Sequence, residues 1–260
     1  MNWLEAIILG LIQGLTEFLP VSSSGHLEIA KVLLGVEVKE TLLFTVVVHG
    51  ATVLSTVFVF RKDLRALFSD SLTFKWNDST QYAIKLFISM IPVIFLGLFF
   101  KDLIEALFTG RVVFVGAMLI ITGILLASTY LRKKNTREIT FIDSLIIGIA
   151  QAIAVIPGIS RSGATISTGL FIGDKREAVT RFSFLMAIVP IIGVNLKDIM
   201  DTGFSGAEKI GFMPLAIGFI VAFLTGLLAC SWMISIVKKG KLVYFAIYCT
   251  IVGILAIILG

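Results

Sequence analysis

The chain has 260 residues, of which 57% are hydrophobic and only 15% are charged, and its mean hydropathy is +1.02. Soluble domains carry about a quarter of charged residues, so this composition excludes an ordinary soluble protein and indicates several membrane-crossing helices. The net charge of +5 comes from basic residues that cluster between apolar stretches. That arrangement is typical of cytoplasmic loops and argues against nucleic-acid binding.

The first apolar stretch, residues 3–19, is too short and too interrupted to cross a bilayer. It ends in a polar tip, Pro20 to His26, and a second short apolar piece, 27–35, follows. Two short segments around a Pro/Gly-marked tip predict a hairpin that enters and leaves the membrane on one side. Region 140–173 has the same organisation around the tip Pro157 to Thr165.

Six longer apolar stretches predict membrane-spanning helices: 41–60, 82–100, 111–131, 182–199, 213–236 and 242–259. Residues 69–81 predict a polar loop. The positive-inside rule places four basic loops in the cytoplasm, those that contain Arg61, Arg132 to Lys134, Lys175 and Lys238. This placement requires both hairpins to be re-entrant. The sequence therefore predicts an all-α integral membrane protein, with six transmembrane helices and two re-entrant helical hairpins in one membrane domain, 1–260.

The two halves of the chain resemble each other at a constant separation of 138 residues. Leu9 to Gln13 matches Ile147 to Gln151, and Ser22 to Gly25 matches Ser160 to Gly163. A hairpin followed by three spans turns the second copy upside down relative to the first. We therefore expect an inverted-topology repeat, with repeat 1 at about 1–135 and repeat 2 at about 139–260, and a site where the two tips meet near the midplane.

The second tip has the residue types of an anion site. Pro157 and two glycines break the helix, and the free N–H groups at the start of the next helix bind anions. Arg161 adds a planar positive group suited to phosphate, and an arginine at bilayer depth is costly enough to indicate function. Three hydroxyl residues complete the set: Ser160, Ser162 and Thr165. The tip therefore predicts a site for an anion such as phosphate.

The first tip adds acid–base and metal-binding groups. Gln13 and Glu17 are four residues apart, so a helix presents both on one face. Such a carboxylate, helped by an amide, can hold Mg²⁺ or Ca²⁺, or can act as a base. One of the serines of this tip, Ser22, Ser23 or Ser24, can be an activated nucleophile next to His26 or Glu17. Alternatively, His26 can act as acid or base towards a water and the leaving group. For His49, inside the span 41–60 and without a counterpart in repeat 2, the sequence favours a structural role.

These tips resemble the two signatures of a known family. Gln13-Gly-Leu-Thr-Glu17-Phe-Leu-Pro-Val-Ser-Ser-Ser-Gly-His26 and Pro157-Gly-Ile-Ser-Arg-Ser-Gly-Ala-Thr165 are similar to the motifs of the undecaprenyl-diphosphate phosphatases of the bacitracin-resistance type. The resemblance covers essentially the whole chain. The family's first motif begins with Glu or Gln, and Gln13 fills that place here. Any metal binding therefore falls more heavily on Glu17.

The resemblance implies a multi-pass enzyme of the bacterial plasma membrane, with an active site that opens to the extracytoplasmic side. It implies hydrolysis of undecaprenyl diphosphate to undecaprenyl phosphate and inorganic phosphate. That reaction recycles the lipid carrier for peptidoglycan synthesis, cell wall biogenesis and cell shape, and it confers antibiotic resistance to bacitracin. It also implies a divalent cation, Mg²⁺ or Ca²⁺.

By matching positions, the resemblance implies three overlapping sets of site residues. The catalytic set is Glu17, Ser23, His26 and Arg161; the phosphate-binding set is Ser160, Arg161, Ser162 and Thr165; the metal set is Glu17 and Gln13. The expected partners are a polyprenyl diphosphate lipid and the membrane, without nucleic acid, and a homodimer stays open. A polyprenyl-phosphate transporter or flippase that uses the same inverted-repeat site is the alternative, although a pure anion carrier needs neither Glu17 nor His26.

Overall fold

The structure of the chain is a computed structural model, and it describes residues 1–36, 42–72, 75–100, 103–104, 106–107, 111–131, 136–202 and 210–260. Within these ranges the regular structure is helical, and the β-type pairing is one isolated bridge between Arg137 and Asp174. The predicted all-α class is thereby confirmed. Of the basic loop residues named above, Arg132 to Lys134 lie outside the described residues.

The helices of the first half are α1 Trp3–Thr16, α2 Ser23–Leu34, α3 Leu42–Val59, α4 Arg61–Ser71, α5 Asp78–Phe99 and α6 Val112–Ser128, which continues as a 3₁₀ turn, Thr129–Leu131. Those of the second half are α7 Phe141–Ile153, α8 Arg161–Ile172, α9 Arg176–Thr202, α10 Phe212–Lys238 and α11 Val243–Leu259.

Five helices of the described chain are long and apolar enough to cross a membrane: α3, α5, α6 with its 3₁₀ turn, α9 and α10. The last helix, α11, is apolar as well but has 17 residues. The helices α1, α2, α7 and α8 have 12 to 14 residues. At 1.5 Å per residue they extend about 18–21 Å, well short of a hydrocarbon core of about 30 Å.

Helix α4 corrects the prediction of a polar loop at 69–81. Residues up to Ser71 are helical, and α5 begins at Asp78, capped by the side chain of Asn77, which accepts a hydrogen bond from Thr80 N at 2.8 Å. The α4 segment was not recognised as a helix because its charges resemble a span-ending loop. Leu64 and Leu67 nevertheless pack against the main apolar core, so one face of this polar segment is partly buried.

Two of the short helices, α1 and α7, pack against helices of the opposite half of the chain. Helix α1 lies against α10, and α7 lies against α5. Glycines allow these close approaches: a Cβ at Gly14 would lie 2.6 Å from Ala222 O of α10, and one at Gly148 would lie 2.4 Å from Ser89 O of α5. Small residues at helix contacts are the usual means of close packing in membranes. The hairpins are therefore enclosed by partners from both halves.

Candidate active site

The first tip is a turn that folds α2 back over the end of α1. Glu17 ends α1, and α2 begins at Ser23 after the N-cap Ser22, whose hydroxyl accepts from Gly25 N at 3.3 Å. Ser22 has φ +69°, a left-handed conformation that costs free energy for a residue with a side chain. The turn places Ser23 above Glu17, and Ser23 Oγ donates to Glu17 Oε2 at 2.7 Å.

The second tip is held by α6. Gly158, at φ +96°, makes the turn after α7, and Ser160 caps α8 by accepting from Gly163 N at 3.0 Å. The hydroxyl of Thr122 donates to Gly158 O and accepts from Ser160 N, both at 3.0 Å. These two hydrogen bonds to Thr122 of α6 fix the start of α8, whose first residue is Arg161.

The two tips are in direct contact. Arg161 Nη2 donates to Glu17 Oε1 at 2.7 Å, and Ser162 Oγ donates to Leu19 O at 3.2 Å. A Cβ at Gly25 would lie 3.1 Å from Gly158 Cα, so the two turns touch at glycines. The structure thus brings together Glu17, Ser23 and Arg161, three members of the catalytic set, at the boundary between the hairpins.

A narrow pocket opens beside this ion pair. The side chains of Glu17 and Arg161 are 8% and 19% exposed, and both face the pocket. The rest of its lining comes from the first tip, α3 and α9: Phe18, Thr52, Val53, Thr56, Phe184, Ala187, Ile188 and Ile191. Buried opposite charges are stable only when they pair closely, and the salt bridge of 2.7 Å between Arg161 and Glu17 meets this condition.

Gln13 completes the surroundings of Glu17. It is fully buried, and its Nε2 donates to Glu17 Oε2 at 3.0 Å and to Thr52 Oγ1 at 3.4 Å. Its Oε1 has no hydrogen-bond partner in the described ranges. These oxygens are the type of ligand that Mg²⁺ and Ca²⁺ prefer. Within the described residues, no group of three or more His, Cys, Asp or Glu is placed to hold a metal ion.

The hydroxyls of the second tip bind protein atoms. Ser160 caps α8 and Ser162 bonds to the first tip, as described above. Thr165 Oγ1 donates to Arg161 O at 2.8 Å and lies 2.6 Å from Ser183 Oγ of α9. Ser183 O in turn accepts from Arg161 Nη1 at 3.0 Å. These contacts hold Arg161 in place, and direct phosphate binding by the three hydroxyls stays a prediction.

His26 lies on the far side of the first tip. Its Nδ1 is 2.9 Å from Ser22 O, and its Nε2 is 2.8 Å from the hydroxyl of Tyr248 on α11. None of its hydrogen bonds or ion pairs within the described residues reaches Glu17, Ser23 or Arg161. The catalytic set therefore divides into a joined trio and one imidazole that faces α11.

His49 lies next to Glu17. Its Nε2 is 4.0 Å from Glu17 Oε2, and its Nδ1 is 2.9 Å from Thr45 O. The sequence favoured a structural role because His49 has no counterpart in repeat 2, whereas the structure gives it a neighbour from the first tip. The spacing of His49 and Thr52, one helical turn apart, was the available signal. Neither Ser183 nor Tyr248 was singled out, because spacing alone does not show which face of a spanning helix meets a tip.

The fold and the site define a class: a multi-pass helical membrane protein in which two hairpin tips meet at a buried arginine–glutamate pair. The chain belongs to the family of the bacitracin resistance protein BacA, which matches residues 6–255. This confirms the resemblance found in the sequence, and the matched range contains both tips.

Curated relatives of the chain are named undecaprenyl-diphosphatases. That of Christiangramia forsetii is 54% identical over 260 residues, covering 99% of this chain and 98% of the relative. That of Bacteroides fragilis is 52% identical over 263 residues, covering 100% and 99%. That of Halothermothrix orenii is 40% identical over 265 residues, again covering 100% and 99%.

Proposed function

We propose that the chain hydrolyses undecaprenyl diphosphate to undecaprenyl phosphate and inorganic phosphate. The observation that carries the proposal is the joined trio of Arg161, Glu17 and Ser23, an anion-binding group, a base and a hydroxyl within hydrogen-bond distance. Family membership and the shared name of relatives over their whole length support the same reaction. Recycling of a lipid carrier for the cell wall, and resistance to bacitracin, follow from this activity.

The terminal phosphate of the substrate binds Arg161. In the structure one arm of the guanidinium, Nη2, is engaged by Glu17, and the other, Nη1, by Ser183 O. A phosphate carries more charge than a carboxylate and accepts two parallel bonds from arginine, so it competes with Glu17 for Nη2. The N-terminus of α8, directly behind Arg161, adds the partial positive charge of a helix start.

Glu17 accepts the proton of the attacking group. Either Ser23 Oγ attacks the terminal phosphorus, or it orients the water that does; in both routes the proton goes to Glu17 Oε2, 2.7 Å from Ser23 Oγ. The bond from the terminal phosphorus to the bridging oxygen breaks, and undecaprenyl phosphate leaves with the electron pair. If Ser23 attacks, water then hydrolyses the phosphoserine. Arg161 neutralises the charge that develops. His26 assists proton transfer from the α11 side of the tip.

A divalent cation, Mg²⁺ or Ca²⁺, is the cofactor we propose, held by Glu17 and the unpartnered Oε1 of Gln13. When bound, it would supply positive charge to the diphosphate oxygens. We expect Glu17→Gln to lose the cation response. Both the dependence of residual phosphate release on Mg²⁺ and the thermal shift on adding Mg²⁺ without substrate measure it, with Glu5→Gln on the same helix as the control. An unchanged response in Glu17→Gln would remove Glu17 from the ligands.

The proposed architecture is an inverted repeat of a re-entrant hairpin and three spans, which gives six spans in all. Three pairs of helix caps, each 138 residues apart, support it: Asn2 and Thr140, Ser22 and Ser160, Gly35 and Gly173. The helix contacts of the two halves also correspond in the way that a two-fold axis requires. The contact of α1 with α10 corresponds to that of α7 with α5, and the contact of α3 with α10 corresponds to that of α9 with α5. Short hairpin helices support re-entry without crossing.

We place the protein in the bacterial plasma membrane with the site open to the extracytoplasmic side. A cysteine introduced at residue 62 is then labelled by a membrane-impermeant reagent only from the cytoplasm, and labelling from outside would reverse this orientation.

Phosphate release from undecaprenyl diphosphate by the purified, detergent-solubilised chain tests the function. Cation-dependent release that disappears in Arg161→Ala supports both the reaction and the place of the site. A folded chain that binds the lipid diphosphate and releases no phosphate would contradict the reaction, and a liposome assay would then test lipid flipping.

A further inference from the structure

The last helix, α11, contacts the first tip through two consecutive residues. Tyr248 Oη lies 2.8 Å from His26 Nε2, and the two rings are nearly parallel, with 8° between their planes and 5.5 Å between their centroids. The next residue, Cys249, is fully buried and its thiol lies 3.6 Å from Pro20 O. Helix α11 belongs to the second half of the chain, so it supports the tip of the first half from 222 residues away.

The two contacts of His26 determine which ring nitrogen carries the proton. Nδ1 lies 2.9 Å from the carbonyl oxygen of Ser22, and a carbonyl only accepts, so Nδ1 is the N–H of the neutral ring. Nε2 then has a lone pair, and the hydroxyl of Tyr248 donates to it. With one bond at each nitrogen, the ring is held in a single tautomer and a single orientation.

We propose that Tyr248 is a positioning residue for the reaction, which fixes the tautomer and orientation of His26. The inference rests on the proposed function, in which His26 assists proton transfer. The phenol O–H donates to Nε2 and thereby holds the imidazole in this tautomer and orientation without forming a bond to the substrate.

Tyr248 is placed to do this without being part of the packed interior. Tyr248 is 43% exposed, so its hydroxyl does not need a protein partner to compensate for burial of the ring. Its hydrogen bond to His26 links α11 to the first tip. Tyr244, one turn earlier on the same helix and 64% exposed, is the matched tyrosine for comparison.

The test is a double-mutant cycle on steady-state hydrolysis of the lipid diphosphate by the full chain. Tyr248→Phe keeps the ring and removes the hydroxyl, so we expect kcat to fall about 10-fold, the effect of one lost hydrogen bond, with KM within about threefold. In the His26→Ala background the same change should alter kcat less than about twofold, because the partner is already gone. Tyr244→Phe should match the unmodified chain in both backgrounds.

Three outcomes would overturn the inference: wild-type kcat in Tyr248→Phe, an equal loss with and without His26, or wild-type kcat in His26→Ala. Thermal unfolding in detergent checks that Tyr248→Phe is folded, and Tyr248→Trp, which keeps an aromatic donor, should recover part of the rate. Arg161→Ala, measured alongside, separates this from failure of the site. If that variant hydrolyses normally, the proposed site is wrong; if it is inactive while the cycle is additive, only the role of Tyr248 fails.

Discussion

The two hairpin tips share a helix-capping pattern and differ in backbone conformation and in chemistry. Ser22 and Ser160 cap α2 and α8, with φ of +69° and −72°, and the first residues of those helices, Ser23 and Arg161, both meet Glu17. The first tip places a hydroxyl at this position and the second places a guanidinium. Two similarly capped helices therefore bring different groups to the same carboxylate, and Thr165 and Ser183 help to hold the arginine.

Removing Arg161 should have the largest effect among the tests of this difference between the tips. Arg161→Ala should lower kcat by about 1,000-fold or more, as expected when the arginine that stabilises a transferring phosphoryl group is lost. The measurement is phosphate release from the lipid diphosphate at saturating substrate.

The change also leaves Glu17 buried without its partner, which is destabilising. The double variant Arg161→Ala/Glu17→Gln removes that charge and should unfold near the temperature of the unmodified chain while staying inactive. Turnover of Arg161→Ala close to that of the unmodified chain, measured below the unfolding temperature of the variant, would show that Arg161 matters for stability alone.

Two serines, one from each tip, give the second test. Ser23→Ala should reduce kcat about 100-fold, since it removes the hydroxyl that donates to Glu17. Ser162→Ala should reduce kcat only about fivefold, because Ser162 Oγ bonds to Leu19 O and one such bond contributes about 1 kcal/mol.

Equal losses in the two variants, with a raised KM for Ser162→Ala, would contradict this distinction. They would indicate that Ser162 binds the substrate phosphate, as the family resemblance implies.

Two glutamines at equivalent positions give a smaller test. Gln13 bonds to Glu17, whereas Gln151 is buried and neither of its side-chain polar atoms has a partner in the described ranges. Gln13→Leu should lower kcat about 10-fold through the lost bond. Gln151→Leu should leave kcat within about twofold and raise the unfolding temperature, since it removes unsatisfied polar atoms. A larger loss of kcat in Gln151→Leu than in Gln13→Leu would reverse the comparison.

The last test concerns stability at the C-terminal end of α8. Burial and the neighbouring charge of Asp143, opposed by Arg137, raise the pKa of Asp174 from 3.8 to about 6. The folded state then binds more protons than the unfolded state between these values, so stability falls as the pH rises through this range. Asp174→Asn should remove this loss in the free energy of unfolding, which is up to about 2 kcal/mol above pH 7.

The measurement is the unfolding temperature of Asp174→Asn and of the unmodified chain between pH 4 and pH 8, with Asp78→Asn as the control. Parallel curves for Asp174→Asn and the unmodified chain would contradict it.

The sequence predicted the parts of the site that local composition marks. Pro157 and the glycines of the second tip break an apolar helix, and a charged residue in that setting is conspicuous. Glu17, Ser23 and Arg161 were therefore found, and the matching tips predicted that they meet.

What the sequence did not predict depends on helix rotation and on local partners. His49 and Tyr248 lie in apolar helices, where only packing decides whether a side chain faces lipid or a tip. The division of roles among Ser23, Ser160 and Ser162 depends on single hydrogen bonds, which similar motifs do not distinguish. Helix α4 was missed because the apolar residues on its packed face are few and are separated by charged residues.

The packing of α1 against α10 has a consequence for how the protein is made. Gly10 touches Gly218, and Glu17 meets an arginine 144 residues later in the chain. While the first half is inserted into the membrane, its hairpin has neither the helix that covers it nor the charge that pairs with Glu17. The native contacts of the first hairpin are therefore completed only after α10 is synthesised. A chain truncated before residue 212 lacks the helix against which its own N-terminal segment packs.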